Sequence, residues 1–195
     1  MQELLHIVRK RVKKALDKDR WEHTKGVAYT ACCLAMAHGA DMEQAMLAGF
    51  LHDCAKCIPN EEKLALCKKY KVDLTDVEKR NPYLIHAKLG AYLAKKDYGV
   101  DDPEILHAIR VHTTGAPEMS LLDKILFVAD YIEPGRDKAR RLGELREKAF
   151  RDLDETLLCI LSDTVLYLSK GTREIDPMTE ETYHYYQKRM NHHGT

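Results

Sequence analysis

At 195 residues the chain is long enough to bury a substantial core, and its 45% hydrophobic content is ordinary for a globular protein. Lysine plus arginine equals aspartate plus glutamate at 31 each, so a whole-molecule field that attracts nucleic acid or an anionic membrane is not expected. No apolar run approaches the roughly 20 residues that cross a bilayer, and Met1-Gln2-Glu3-Leu4-Leu5-His6 lacks the charged start and apolar stretch of a secretory signal. The expectation is one soluble, cytoplasmic domain over residues 1–195, with no nucleic-acid or membrane partner.

Glycine and proline are sparse, at 10 and 6, and apolar stripes recur at helical spacing without an alternating strand pattern. The predicted fold class is all-α. Residues 2–17 read as an amphipathic helix with Leu4, Leu5, Val8, Val12, Ala15 and Leu16 on its apolar face. A second helix runs from near Arg20 to His38 and stops at Gly39, with His23 on the face of Val27, Ala31 and Leu34. Asp41 caps a third, which ends in Leu51-His52-Asp53. There Ala45, Ala48, Gly49 and His52 share one face, and the small residues let a neighbouring helix come close. Pro59 limits the next segment, a short charged helix over 61–70.

Asn81-Pro82 predicts the start of a helix reaching about Tyr98, with His86, Leu89, Gly90 and Leu93 stacked. Asp102-Pro103 starts another with Ile105, Ala108, Ile109 and His112 on one face, leaving His107 as a surface or packing histidine. Residues 121–132 are strongly apolar yet hold Asp130 in line with Leu122 and Leu126, and Pro134-Gly135 stop them. Residues 143–170 form one long helix or two, ended by Gly171, and Asp176-Pro177 open a last helix rich in tyrosine.

Six cysteines need no disulfides in a chain with this much core. Cys32, Cys33 and Cys159 are expected as buried thiols acting as small hydrophobes. Cys54 and Cys57 make a CxxC beside the His-Asp pair. They read as incidental thiols at a helix end, because no second CxxC exists and no strand precedes them; a zinc knuckle or redox motif is the alternative.

The chemistry gathers at His23, His52, Asp53, His86, His112 and Asp130, which come from five predicted helices and each lie on or beside an apolar stripe. A single inward histidine is more often a hydrogen-bonded core residue than a ligand. A carboxylate inside the 125–132 run is different, because burying it is costly without a compensating cation. An imidazole directly followed by a carboxylate suits a borderline or hard divalent metal.

The order H…HD…H…H…D resembles the HD-domain metal-dependent phosphohydrolase superfamily, and the wider sequence resembles its YqeK-like branch, the bacterial symmetrical diadenosine tetraphosphate hydrolases. The stretches that carry the likeness are Arg20-Trp21-Glu22-His23, Leu51-His52-Asp53-Cys54-Ala55-Lys56, His112-Thr113-Thr114-Gly115, Ala129-Asp130-Tyr131-Ile132-Glu133-Pro134-Gly135-Arg136 and Thr172-Arg173-Glu174. The resemblance implies a helical HD bundle holding iron, with manganese, cobalt or zinc also compatible with the donors. By position it makes His23, His52, Asp53 and Asp130 the metal ligands, and His86 and His112 either ligands of a second metal or phosphate contacts. Asp53 would orient the attacking water and Lys56 would reach a phosphate as a point charge. The substrate-binding set would be Arg20, His23, Asp53, Cys54, Ala55, Lys56, His86, His112, Arg136, Thr172, Arg173, Glu174 and Ile175.

The implied reaction is symmetric cleavage of a dinucleoside polyphosphate, diadenosine tetraphosphate, into two ADP by a metal-held hydroxide. The alternatives are a nucleotidase acting on another nucleotide and a non-catalytic nucleotide sensor. The oligomeric state stays open, with a homodimer among the options.

Overall fold

The computed structural model describes residues 2–171 and 174–193. Among them the chain forms α-helices and one 3-10 turn, with no strand. The helices are α1 (Gln2–Ala15), α2 (Lys18–His38), α3 (Met42–Leu51), α4 (Asn60–Tyr70), α5 (Asp76–Arg80), α6 (His86–Lys96), α7 (Pro103–Val111), α8 (Leu121–Ile132), α9 (Leu142–Ala149), α10 (Leu153–Ser169) and α11 (Pro177–His193), with the 3-10 turn at Pro82–Ile85. The all-α expectation holds, and no helix among the described residues is long and apolar enough to cross a membrane.

The middle of the molecule is α2, α3, α7 and α8. The pairs α2–α3, α2–α8, α3–α8, α3–α7 and α7–α8 all pack against each other. Phe50, Leu34, Leu51, Ile105, Ile109, Ile125 and Leu126 fill the space between them and are almost wholly excluded from solvent. Each such aliphatic side chain stabilises the fold by about 1.5–3 kcal/mol. Helix α1 covers α3, α6 covers α7, and α9 and α10 lean on α8.

Side chains that satisfy free backbone N–H groups set the helix starts. Asp17 accepts from the Arg20 N–H, so α2 begins at Lys18 and includes Arg20 in its first turn. Asp41 accepts from the N–H groups of Glu43 and Gln44, and Asp102 does the same for Glu104 and Ile105. Ser120 and Asp123 form a reciprocal capping box that starts α8. The close approach expected at Gly49 is present: a Cβ there would lie 2.5 Å from the Cα of Ala28 on α2.

Two expectations need correction, one helix adds to them and one open alternative is decided. Asn81 does not cap a helix; its side-chain amide donates to the Val77 carbonyl and to Glu174, and Pro82 opens only the 3-10 turn, so α6 begins at His86. Helix α5 was not foreseen, although Thr75 and Glu78 make a capping box for it. The stretch 143–170, expected as one helix or two, is two, α9 and α10, with α9 starting one residue before Gly143. The cysteines are reversed: Cys33 is exposed and Cys32 and Cys159 are half-buried, while Cys54 and Cys67 are the buried thiols. A stripe of cysteine with alanine, as around Cys32 and Cys33, does not say by itself which side of a helix meets the core.

Candidate metal centre

The histidines are placed by helix ends. Helix α3 stops at Leu51, α7 at Val111 and the 3-10 turn at Ile85, and the next residue is in each case a histidine: His52, His112 and His86. A helix end leaves carbonyls without N–H partners. Each of these imidazoles turns back and donates its Nδ1–H to the carbonyl three residues upstream, His52 to Gly49, His112 to Ile109 and His86 to Tyr83, all at 2.7 Å. Since Nδ1 carries the proton, Nε2 is left with its lone pair pointing away from the backbone. His23, inside α2, reaches the same state differently, with Nδ1 lying 3.1 Å from Oε1 of the buried Glu133.

The four rings form a row. His23 and His52 have centroids 5.4 Å apart, His52 and His112 5.1 Å, and His112 and His86 5.1 Å. Asp53 runs alongside with its two oxygens facing opposite ends. Its Oδ2 lies 3.5 Å from His52 Nε2 and 3.9 Å from His23 Nε2, while Oδ1 lies 3.2 Å from His86 Nε2 and 3.8 Å from His112 Nε2. Asp130 enters from α8, with Oδ1 3.1 Å from His23 Nε2 and 4.0 Å from His52 Nε2.

These atoms are acceptors converging on acceptors. His86 Nε2 and His112 Nε2 are 3.3 Å apart, yet both rings have committed their protons to the backbone. His23 Nε2, His52 Nε2 and Asp53 Oδ1 are buried without a hydrogen-bond partner. Unsatisfied buried polar atoms cost about 1–3 kcal/mol each, and a cation shared between lone pairs removes that cost. Two overlapping sets have one donor atom from each residue within 4.8 Å of the others: His23, His52 and Asp130, and His52, Asp53 and His112. A mixed imidazole and carboxylate set suits a borderline divalent ion.

Burial alone would raise the Asp53 carboxyl, but the surrounding imidazoles, His52 foremost, hold it well below the usual carboxylate range in acid, where imidazole is protonated and donates to it. The same holds for Asp130, where burial is outweighed by His23, His52 and Arg136. Burial, with Lys56 nearby, pushes His86 well below the ordinary imidazole value and keeps it neutral, as a lone-pair donor must be.

The cations expected around the site are near it, and most are already engaged. Arg20 Nη1 donates to Asp53 Oδ2 at 2.8 Å. Arg136 donates from Nη2 to Asp130 Oδ1 at 2.7 Å and from Nε to the Asp130 carbonyl at 3.0 Å. Helix α3 does not continue to Lys56, but the tight turns after Leu51 bring Lys56 Nζ to 3.2 Å from His86 Nε2 and 3.9 Å from Asp53 Oδ1. An open cleft of about 860 Å³ leads from the cluster to solvent, lined by Arg20, His23, His112, Asp130, Arg136 and Lys138 among others.

Other expected residues lie elsewhere. Cys54 is buried with Sγ against the Gly90 carbonyl, and Ala55 is fully enclosed, so neither side chain reaches the cleft. Cys57 instead faces Asp17, so the two thiols of the CxxC have separate neighbours, and neither belongs to the ligand clusters among the described residues. Glu174 pairs with Arg80 and Asn81, and Ile175 is half-buried; neither lines the cleft. Thr172 and Arg173 lie outside the described residues. His107 is exposed and bonds Asp123, within the surface or packing role expected for it.

Two residues not singled out from sequence are drawn into the cluster. Thr113 Oγ1 is 3.4 Å from both His86 Nε2 and His112 Nε2. Glu133, only 3% exposed, holds His23. The available signal was an acidic residue placed directly between an apolar helix and a Pro-Gly turn.

The HD domain family model matches residues 20–135. The chain belongs to the HD-domain family. It is 41% identical over 174 residues to the protein of Bacillus subtilis (strain 168) named symmetrical bis(5'-nucleosyl)-tetraphosphatase, covering 89% of this chain and 92% of that one. A protein of the same name from Staphylococcus aureus (strain NCTC 8325 / PS 47) is 32% identical, covering 89% and 90%. Among solved structures, a protein from Clostridium acetobutylicum described as a predicted HD superfamily hydrolase involved in NAD metabolism superposes with a TM-score of 0.90 at 39% identity, covering 94% of this chain and 97% of that one.

Proposed function

We propose that this chain is a metal-dependent hydrolase that cleaves diadenosine tetraphosphate symmetrically into two ADP. The observation that carries the reading is the row of four Nε2 lone pairs along both oxygens of Asp53, at the base of an open cleft. The names of the relatives supply the substrate.

His23, His52, Asp53 and Asp130 would hold a divalent ion, with iron the proposed metal and manganese, cobalt and zinc compatible with the donors. His86 and His112, on the Oδ1 side of Asp53, would take either a second ion or a phosphate oxygen. Bound there, the ion supplies Lewis acidity toward phosphoryl oxygens and lowers the pKa of a coordinated water. The chain's own residues do the rest. Asp53 lies along both halves of the cluster and would orient water between them. Lys56 presents its ammonium beside His86 and Asp53, where it neutralises phosphate charge. Arg20 and Arg136 line the cleft and hold the two carboxylates in place. Hydrolysis at the central bridge releases ADP as leaving group and ADP as the hydrated half.

The test is product chromatography on diadenosine tetraphosphate, with NAD and mononucleotides as competing substrates, alongside the metal content of protein purified without chelator. Wild type should release only ADP, and Asp53→Ala should lose both metal and activity by at least 100-fold, on the order expected when a shared ligand and electrostatic anchor is removed. AMP plus ATP as products, or preference for another nucleotide, would overturn symmetric cleavage; binding without turnover would identify a sensor.

A further inference from the structure

His23 differs from the other three histidines in what holds its ring. Those three donate to backbone carbonyls, which are neutral acceptors. His23 faces a carboxylate, Glu133 Oε1, at 3.1 Å. That carboxylate is fixed from every side. Its other oxygen accepts from the Gly135 N–H at 2.6 Å. Gly26, about one turn after His23 on the same face of α2, has no side chain because a Cβ there would run into Oε2, and a Cβ on Gly135 would lie 3.0 Å from the same oxygen. The Glu133 carbonyl in turn accepts from Arg146 Nη2 at 2.8 Å and from the Arg136 N–H at 3.0 Å. A buried charge held this firmly has a role to be found.

We propose that Glu133 is a positioning residue for the metal centre: it orients the His23 ring, keeps its proton on Nδ1 so that Nε2 faces the ion, and ties α2 to the turn that carries Arg136. The inference rests on the metal reading above.

Glu133→Gln discriminates between this role and simple packing. The amide is nearly the same shape, but both Glu133 oxygens accept from N–H groups, His23 Nδ1–H and Gly135 N–H, whereas glutamine offers one oxygen and one NH₂. Turned one way it leaves Gly135 facing a donor. Turned the other way it donates to His23 and moves the ring proton to Nε2, where it blocks the ion.

The experiment is a cobalt(II) titration of full-length wild type, Glu133→Gln and Glu133→Asp, read by the visible absorption of the bound ion, with thermal melts of the metal-stripped proteins as a folding control. Glu133→Gln should bind cobalt about 10- to 100-fold more weakly than wild type while melting close to it, and Glu133→Asp should fall between. Cobalt bound as tightly by either folded variant as by wild type would overturn the inference. A second reading needs no variant: long-range proton–nitrogen correlation on zinc-loaded wild type should place the His23 proton on Nδ1, and a proton on Nε2 would also overturn it. Wild type that binds neither ion would defeat the metal reading itself, a different result from metal bound equally by all three.

Discussion

Arg136 commits its guanidinium to a single residue, Asp130: Nη2 holds the carboxylate Oδ1 at 2.7 Å and Nε holds the carbonyl of the same residue at 3.0 Å. The turn Glu133-Pro134-Gly135 is what folds the arginine back onto the end of α8. An arginine fork makes both bonds at once and a lysine cannot. Arg136→Lys should therefore retain charge in the cleft yet lose the fixed Asp130 geometry. A charge-assisted bond contributes roughly 1.5–3 kcal/mol, so kcat/KM should drop about 10- to 100-fold in steady-state assays with diadenosine tetraphosphate. Full activity in the lysine variant would show that charge alone suffices.

Gly49 lets α3 lie against α2 and so sets the distance between His52 and His23. A Cβ at position 49 would lie 2.5 Å from the backbone Cα of Ala28, which cannot move without moving α2. Gly49→Ala should destabilise the protein by about 1–3 kcal/mol, the usual cost of overpacking. It should also weaken metal binding, because the two ligand helices are pushed apart. Urea denaturation with and without added metal separates the two effects, and an unchanged midpoint would refute the close contact.

Thiol reactivity should follow burial and not sequence context. Burial pushes the Cys54 thiol up to about 12 and Cys67 up to about 11, so neither holds appreciable thiolate near neutral pH. Iodoacetamide followed by peptide mass mapping should label exposed Cys33 and Cys57 in the folded protein, with Cys54 and Cys67 labelled only after unfolding. Cys57 should react more slowly than a free thiol, since partial burial and the neighbouring Asp17 raise its pKa. Rapid labelling of Cys54 in native protein would contradict the packing against Gly90.

Stability of the metal-stripped protein should rise with pH through the histidine range. Folding holds His86 well below its ordinary value of 6.5. Below that value the unfolded chain binds a proton that the folded chain excludes, so stability falls as the solution is acidified. Asp53 and Asp130, both held below 3.8, act with the same sign at lower pH, where the unfolded carboxyls protonate first. Denaturant midpoints measured across the acidic range test this, and a midpoint that rises on acidification would refute it.

Much of the centre was legible as pattern. His52 and His112 stand at the ends of apolar stripes, and Asp130 sits inside one, so local periodicity places all three on core-facing surfaces. The N-caps at Asp41 and Asp102 were also readable, because they depend on residues only two or three positions apart. Helix α5 had an equally local signal in Thr75 and Glu78 and was missed for want of an apolar stripe in so short an element.

What the amino-acid order determined by itself was therefore helical class, the faces of the helices and the residue types available to a metal, since these follow from interactions within a few residues of chain. Only tertiary structure decided which oxygen of Asp53 faces which histidines, that Arg136 is committed to Asp130, that Glu174 is tied to Arg80, and that Glu133 at the end of α8 holds His23 inside α2, 110 residues away. Those relationships depend on how α2, α3, α7 and α8 approach one another, and small residues such as Gly49 and Gly26 set that approach through contacts with distant chain.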